Sequence, residues 1–292
     1  MNPEVSVIIC TYQASRLAPL AIDSALAQME AVEVLVIDDA SPDDSLATLT
    51  QRFEGDNRVR ILGRSSNGGP SAARNDGLDA ACGEWIAPLD ADDAFSPGRL
   101  TYLLKAAKSL DADFVADNQR MVLDPATDEG ETAFAEAEGP ILLNLDGLLD
   151  DRRFPAGRLS LGYLKPMIKR SFLDDFGLRY DTDLRMAEDF DLYARCFAAG
   201  AKAYYLSEPL YRYRRGHVSA TGGGVKNLNL VANAMDRLDQ TIGDSVTPDL
   251  RRAIQARAGR FRRAYWKTRL LSPLARLLKG GRPAQRPHQQ QP

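Results

Sequence analysis

The 292-residue sequence predicts an α/β fold, a single mixed and mainly parallel sheet flanked by helices, with a helical extension toward the C-terminal end. Three observations carry that expectation. Short apolar, β-branched runs alternate with segments of helical spacing; two of those runs end in clustered carboxylates; and the charge reverses near residue 250. Strands alternating with helices of about ten residues build right-handed β-α-β units around a parallel sheet.

The run Val5 to Cys10 lies between Pro3 and the polar loop after Thr11. It reads as a β-branched run, as expected of a strand covered on both faces. Leu17, Leu20, Ala21, Ser24, Ala25 and Gln28 share one helix face, and Val32 to Ile37 is a second buried strand, ending in Asp38 and Asp39. Residues 43–53 read as a helix, 59–62 as a short strand, 70–81 as a helix, and 85–89 as a strand that ends in Asp90. Residues 124–139 are acidic, aperiodic and poor in large apolar side chains, the composition of an exposed loop with room to move. An amphipathic segment follows at 142–149, and 159–173 reads as a loop, a strand and the start of a helix.

Phe190, Tyr193, Ala194 and Phe197 recur at helical spacing, and Gly200 stands where a C-terminal cap would, so 187–199 is a helix. Tyr204 to Leu206 and Tyr211 to Arg215 look like two short strands, and from Leu228 the pattern is helical up to an unstructured PAQRPHQQQP. With no internal repeat, the expected organisation is one α/β unit over 1–222, a basic helical extension over 223–282 and a disordered tail over 283–292.

Gly and Pro are at ordinary levels, which excludes a collagen-like or wholly disordered chain. The formal charge of −3 hides a division: residues 1–250 carry 25 basic against 40 acidic side chains, and the last 42 carry +12 with no acid. Such asymmetry suggests an acidic or cation-binding body with a segment that seeks anions. Cys10, Cys82 and Cys196 lie far apart and in no CxxC spacing, which excludes a disulfide framework and a zinc ligand set and fits a reducing cytoplasm. The N-terminus lacks the basic region of a signal peptide, and no apolar stretch approaches the roughly 20 residues of a membrane span.

In an open parallel sheet the ligand crevice lies outside the carboxyl ends of the strands. Two acidic clusters fall there, IDDASPDDS at 37–45 and LDADD at 89–93. In an extended strand Asp38 and Asp39 point to opposite faces, so one of them lines the crevice, whereas Asp90 and Asp92 share a parity and can converge on a cation. Carboxylates at this density repel unless a cation or a ring of donors sits among them. Oxygen-only ligation with room for phosphate is the habit of magnesium or manganese. The competing reading, turn formers and helix caps, weighs evenly for the first cluster but less for the second, where three acids in four residues exceed what a cap requires. No P-loop or GxGxxG is present; the turn after the first strand is TYQAS.

VSVIICTYQAS (5–15), VIDDASPDDS (36–45), NGGPSAARNDGL (67–78), WIAPLDADD (85–93) and AEDFDLYAR (187–195), in this order, together resemble the family 2 glycosyltransferases of the GT-A fold, whose sheet is Rossmann-like. GYLKPMIKRSFL (162–173), with 178–195 and PLYRYRRGHVSAT (209–221), is most similar to the bacterial succinoglycan and exopolysaccharide subgroup. The last 40 or so residues lie outside these motifs.

The resemblance implies a nucleotide-sugar half over 1–93 and an acceptor half over 94–222. It implies a UDP-sugar donor cradled by Thr11, Tyr12 and Ala14, with Asp39 on uridine and Arg74 steadying the pocket. Asp92 would hold Mn2+ or Mg2+, Asp90 and Asp93 would assist on the metal or the sugar, and Asp189 would be the catalytic base, with Asp191 or Glu188 next in line. His217, with Arg214 or Arg215, would close over the diphosphate or complete the metal shell; a loop histidine without function is an equal reading. Ala187 departs from the Gly common before the acidic pair. For Glu188, Asp189 and Asp191 taken alone, complementing a helix dipole is the stronger explanation.

The implied reaction is inverting transfer of a hexose, glucose the expected one, to a lipid-linked oligosaccharide in exopolysaccharide biosynthesis. The expected location is cytoplasmic, with a peripheral position on the inner face of the membrane. Residues 251–282 mix arginines with Ile254, Phe261, Tyr265, Trp266 and leucines, which suits an anionic membrane surface, packing on the body being the alternative. No recognition module accompanies the basic charge, so nucleic acid is not an expected partner. A sugar nucleotidyltransferase, which would carry a Gly-rich loop where TYQAS stands, and a non-catalytic scaffold of an assembly complex are the rival functions.

Overall fold

A computed structural model describes residues 3–28, 32–150, 159–215 and 225–278, the last eight as backbone. Its first half follows the expected alternation: β1 (Val5–Thr11), α1 (Ala18–Leu26), β2 (Val32–Asp38), α2 (Ser45–Phe53), β3 (Val59–Gly63), α3 (Pro70–Ala80) and β4 (Trp85–Asp90). These strands lie parallel in the order β3-β2-β1-β4, with Val7 of β1 facing Val34 on one side and Ala87 on the other. The β-branched, mostly apolar runs are explained by cover on both faces. Val7, Ile9, Val34 and Val36 meet α1 and the helix after β4 on one side, while Ile8, Leu35 and Ile37 meet Ala73 and Leu78 of α3 on the other.

The helix expected from residue 43 begins at Ser45, because the Ser45 amide donates to the Asp43 carboxylate at 3.1 Å and holds residues 43–44 in a turn before it.

The second half contains two elements that the sequence pattern did not reveal, α4 (Arg99–Leu110) and β6 (Phe114–Val122), preceded by the two-residue β5 (Ala94–Phe95). Residues 124–139, expected as an exposed loop, instead contribute β7 (Gly130–Thr132), which pairs antiparallel with β6, and the buried Ala133 and Phe134. The Asn118 side chain anchors this segment through both its atoms, accepting from the Phe134 amide at 3.0 Å and donating to its carbonyl at 2.9 Å.

Then follow β8 (Ile141–Leu143), α5 (Leu145–Leu149), a 3₁₀ turn at Leu161–Tyr163, β9 (Met167–Lys169) and α6 (Arg170–Asp175). After these come α7 (Glu188–Ala198) and β10 (Ala203–Arg214). The two short strands expected around 204 and 211 are one strand, β10, running parallel to β6 with register shifts on either side of Pro209, which has no amide to give the ladder. The short β9 runs antiparallel between β4 and β6 and joins the halves into one sheet.

α8 (Val225–Ile242) and α9 (Pro248–Leu278) form the helical extension. The first half of α9 packs on the body: Ile254 and Ala258 are buried, and Arg257 donates to the Leu149 carbonyl at 2.9 Å with its guanidinium 4.8 Å from the Phe190 ring centroid. Residues 266–270 are all exposed, Trp266 and Leu270 among them. No helix among the described residues is long and apolar enough to cross a membrane.

Candidate active site

The carboxyl ends of β1, β2 and β4 and the N-terminus of α7 meet above the sheet. Thr11 ends β1, and its hydroxyl donates to Asp38 at 3.3 Å; Tyr12 beyond it is half exposed, and Ala14 is buried in the turn into α1. Asp38 and Asp39 diverge as the alternation of a strand requires. Asp38 accepts from Ser41, at 2.9 Å from its amide and 2.6 Å from its hydroxyl. Asp39 turns toward the start of α3, accepting from the amides of Gly68 at 2.9 Å and Gly69 at 2.7 Å and from the Arg64 guanidinium at 2.5 Å. Gly69 has φ +83°, a conformation that favours glycine, and a Cβ on Gly68 would fall 2.5 Å from the Arg64 guanidinium. Asp39, expected on uridine, is therefore the anchor of this glycine turn.

Arg74 leans from α3 across the sheet end. Its guanidinium donates to Glu188 at 2.9 Å and to Asp90 at 3.0 Å, stands 3.6 Å from Asp189, and lies 5.3 Å from the Tyr180 ring centroid. Opposite it is Lys165, on the loop before β9, whose ammonium lies 2.8 Å from Asp90 and donates to Asp189 at 2.9 Å. Two buried cations thus bind three carboxylates from β4 and α7. Burial alone would raise the Asp90 carboxyl, but the charges of Lys165 and Arg74 outweigh it and hold Asp90 well below the usual carboxylate range. Burial likewise works against the charge on Lys165, and Asp189 and Asp90 overcome it, holding the ammonium above its ordinary value.

Asp189 occupies the first turn of α7 with Glu188 and Asp191, where the helix dipole favours negative charge. Ala187 before it is left-handed at φ +65°. Asp191 is turned away, buried and bound by Arg195 at 2.6 and 2.8 Å. Asp93 is turned away as well: its oxygens accept from the Tyr211 hydroxyl at 2.7 Å and the Arg214 amide at 2.8 Å, clasping the end of β4 to β10. Burial, with Asp90 and Asp92 nearby, pushes its carboxyl well above the usual range.

Asp92 lies half-buried two residues past β4. No group of three His, Cys, Asp or Glu among the described residues is arranged to enclose a metal, and the Asp90 oxygens are taken by cations. A divalent ion that uses one or two carboxylates and completes its shell with diphosphate oxygens would fit this donor set, and Asp92 would be the residue to hold it. His217 lies outside the described residues.

The structure therefore brings Arg74, Asp90, Glu188 and Asp189 together and holds Asp93 and Asp191 in clasps of their own. It adds Lys165, which the sequence did not single out; a lysine before a proline carries no hydropathy signal of its burial.

A doubly covered parallel sheet with a DxD-type run after its fourth strand and a carboxylate pair at a helix start defines a glycosyltransferase domain of the GT-A fold. Solved structures share this architecture. S. aureus TarS 1–349 in complex with UDP-GlcNAc superposes with a TM-score of 0.69 at 18% identity, covering 94% of this chain and 77% of that one. Mannosyltransferase PcManGT from Pyrobaculum calidifontis, in complex with GDP-Man and Mn2+, gives 0.60 at 18% identity, covering 96% and 81%.

Residues 6–134 match Glycosyl transferase family 2, and the chain belongs to that family. Among curated proteins it is similar to two from Rhizobium meliloti (strain 1021). Succinoglycan biosynthesis protein ExoU is 40% identical over 208 residues, 68% of this chain and 58% of the relative; succinoglycan biosynthesis protein ExoO is 36% identical over 226, 74% and 63%. The chain thus spans about three fifths of the length of these relatives.

Proposed function

We propose that the chain is an inverting, metal-dependent glycosyltransferase of exopolysaccharide biosynthesis that moves a hexose, glucose first among candidates, from a UDP-sugar to a lipid-linked oligosaccharide. The observation that carries this reading is the convergence of Asp189, at the start of α7, with Asp90, at the end of β4, on one buried lysine. It sets a carboxylate of the acceptor half beside the acidic run of the donor half. The names of the curated relatives support the polysaccharide context, and the UDP-GlcNAc complex of TarS supports the donor class.

In this reading Thr11, Tyr12 and Ala14 receive the base, and Asp39 holds the glycine turn beside it. Asp92 would hold Mn2+ or Mg2+, which when bound would act as a Lewis acid on the departing diphosphate. Asp189 takes the proton of the acceptor hydroxyl as that oxygen attacks the anomeric carbon. One displacement inverts the centre, so an α-linked donor yields a β-linked product. The exposed Trp266 and Leu270, among the basic residues of α9, suit contact with an anionic membrane surface where a lipid-linked acceptor would lie.

The test is a mass-spectrometric screen of nucleotide sugars with lipid-linked acceptors, with and without EDTA, on the wild type and Asp189→Asn. Transfer should need the metal and fall by about 10²- to 10⁴-fold in the variant, with UDP and manganese binding intact. Near-normal transfer by Asp189→Asn would reassign the base.

A further inference from the structure

Lys165 is neither in the acidic motifs nor on a regular element, yet only 6% of its side chain is exposed and its ammonium is shared between Asp90 at 2.8 Å and Asp189 at 2.9 Å. A lysine this buried needs compensating negative charge close by, and these two carboxylates supply it. Its backbone is also fixed, since the Lys165 carbonyl accepts from the Arg99 guanidinium at 2.5 Å. Arg99 is itself fully buried in an ion pair with Asp117, so the chain at Lys165 hangs from a rigid peg between α4 and β6.

The two oxygens of Asp189 are not equivalent. Oδ1 is buried, makes no hydrogen bond and faces Arg74 at 3.6 Å, whereas Oδ2 is the oxygen bound by Lys165. With Oδ1 buried and without a hydrogen bond, Oδ2 is the oxygen whose direction Lys165 fixes. A charge-assisted hydrogen bond between well-buried groups fixes a carboxylate rotamer more firmly than a water-exposed one does. The same ammonium fixes Asp90, so the orientation of a donor-side acid and that of an acceptor-side acid share one strut.

We propose that Lys165 is a positioning residue of sugar transfer. Its ammonium aims Oδ2 of Asp189 at the acceptor hydroxyl and couples that aim to Asp90 at the end of β4. The inference rests on the reading of Asp189 as the base. No covalent step passes through Lys165, and the proton of the acceptor still goes to Asp189.

The test compares wild type, Lys165→Met, Lys165→Arg and Asp189→Asn as full-length chains. Lys165→Met should bind UDP with manganese within threefold of wild type and keep the donor KM, while kcat falls by about 100-fold. Lys165→Arg, which returns a cation, should recover about tenfold of that loss. A folded Lys165→Met with kcat within threefold of wild type, or one whose loss lies in KM alone, would overturn the proposal. Should Lys165→Met not fold, Lys165→Arg is read alone: a kcat loss of about tenfold at unchanged KM supports the proposal, and wild-type kcat overturns it.

A second measurement is independent of activity. The lysine ammonium should give an exchange-protected 1H–15N resonance in the wild type that shifts in Asp189→Asn; absence of that resonance, or its indifference to Asp189, removes the strut. A wild type that transfers no sugar from any donor while this resonance responds to Asp189 would instead fail the functional reading and leave the strut standing.

Discussion

Replacing Asp117 by Leu should destabilise the protein by about 3–5 kcal/mol, the cost of leaving a buried charge without its partner. Arg99 is 0% exposed and Asp117 1%, joined by contacts of 2.7, 3.0 and 3.1 Å. The guanidinium also lies 4.4 Å from the Phe95 ring centroid and 5.1 Å from that of Tyr211. Burial pushes the Asp117 carboxyl up, and the Arg99 charge offsets only part of that push. Against a total stability of about 5–15 kcal/mol, such a loss is a large fraction.

The double variant Arg99→Met/Asp117→Leu removes both charges and should recover most of it, since apolar replacement of a buried pair is often neutral or better. Urea unfolding followed by the fluorescence of Trp85, itself 3% exposed, measures Asp117→Leu, Arg99→Met and the double variant. The coupling energy of the cycle should then be about 3 kcal/mol. Two single losses that simply add would refute the pair as a closed unit. Catalysis separates from stability here, because the double variant has also lost the donor to the Lys165 carbonyl. A charge-assisted hydrogen bond is worth about 1.5–3 kcal/mol, so kcat should fall roughly tenfold or more even where stability returns. Normal transfer by a restored fold would refute the peg.

Ala187→Gly should stabilise the fold slightly. Relief of the left-handed strain is worth about 1–2 kcal/mol, less the 0.4–1 kcal/mol of added freedom in the unfolded chain; a lower urea midpoint would contradict the strain at φ +65°. Asp90, held below its unfolded value, contributes stability that is full above about pH 4 and fades as pH falls through the folded value. The stability gap between wild type and Lys165→Met should therefore shrink on acidification below about pH 4; a pH-independent gap would sever Lys165 from Asp90. Ending the chain after Tyr265 spares the packed half of α9 and should weaken binding to anionic liposomes, measured by co-sedimentation, while leaving the melting temperature near that of the wild type. Equal sedimentation would leave the exposed Trp266 without that role.

The first half was legible because β1, β2 and β4 are short, mostly apolar runs, interrupted before their ends only by Ser6 and Glu33, as strands covered on both faces are. β6 was not, although it lies as deep: FVADNQRMV carries four consecutive polar residues, of which Asp117, Asn118 and Gln119 are buried. Each is buried because a partner meets it, Arg99 for Asp117, the Phe134 backbone for Asn118 and the Tyr163 carbonyl for Gln119. Hydropathy along the chain cannot see partners 16 to 44 residues away. The same limit hid Lys165, whose burial depends on carboxylates at 90 and 189. The acidic motifs pointed to residues that gather above the sheet, but not to how they divide between the Arg74–Lys165 cluster and separate clasps. Asp93 and Asp191 differ from Asp90 and Asp189 by which way the backbone turns them, and that is set by Tyr211, Arg214 and Arg195. The Ala187 departure, by contrast, now has a physical cost, because the position is left-handed.

The three-residue β9 also governs the order in which the chain can be completed during synthesis. β4 and β6 are both translated before it, and neither pairs with the other; each meets only Met167–Lys169 across the gap. Until that tripeptide is made, the sheet has two facing open edges, the kind of backbone that pairs with other chains. The 44 residues between Val122 and Met167 take roughly two to nine seconds to translate at ordinary rates. Over that interval those edges stay open to pairing with other chains, so slowing translation between those positions should lower the soluble yield without changing any residue.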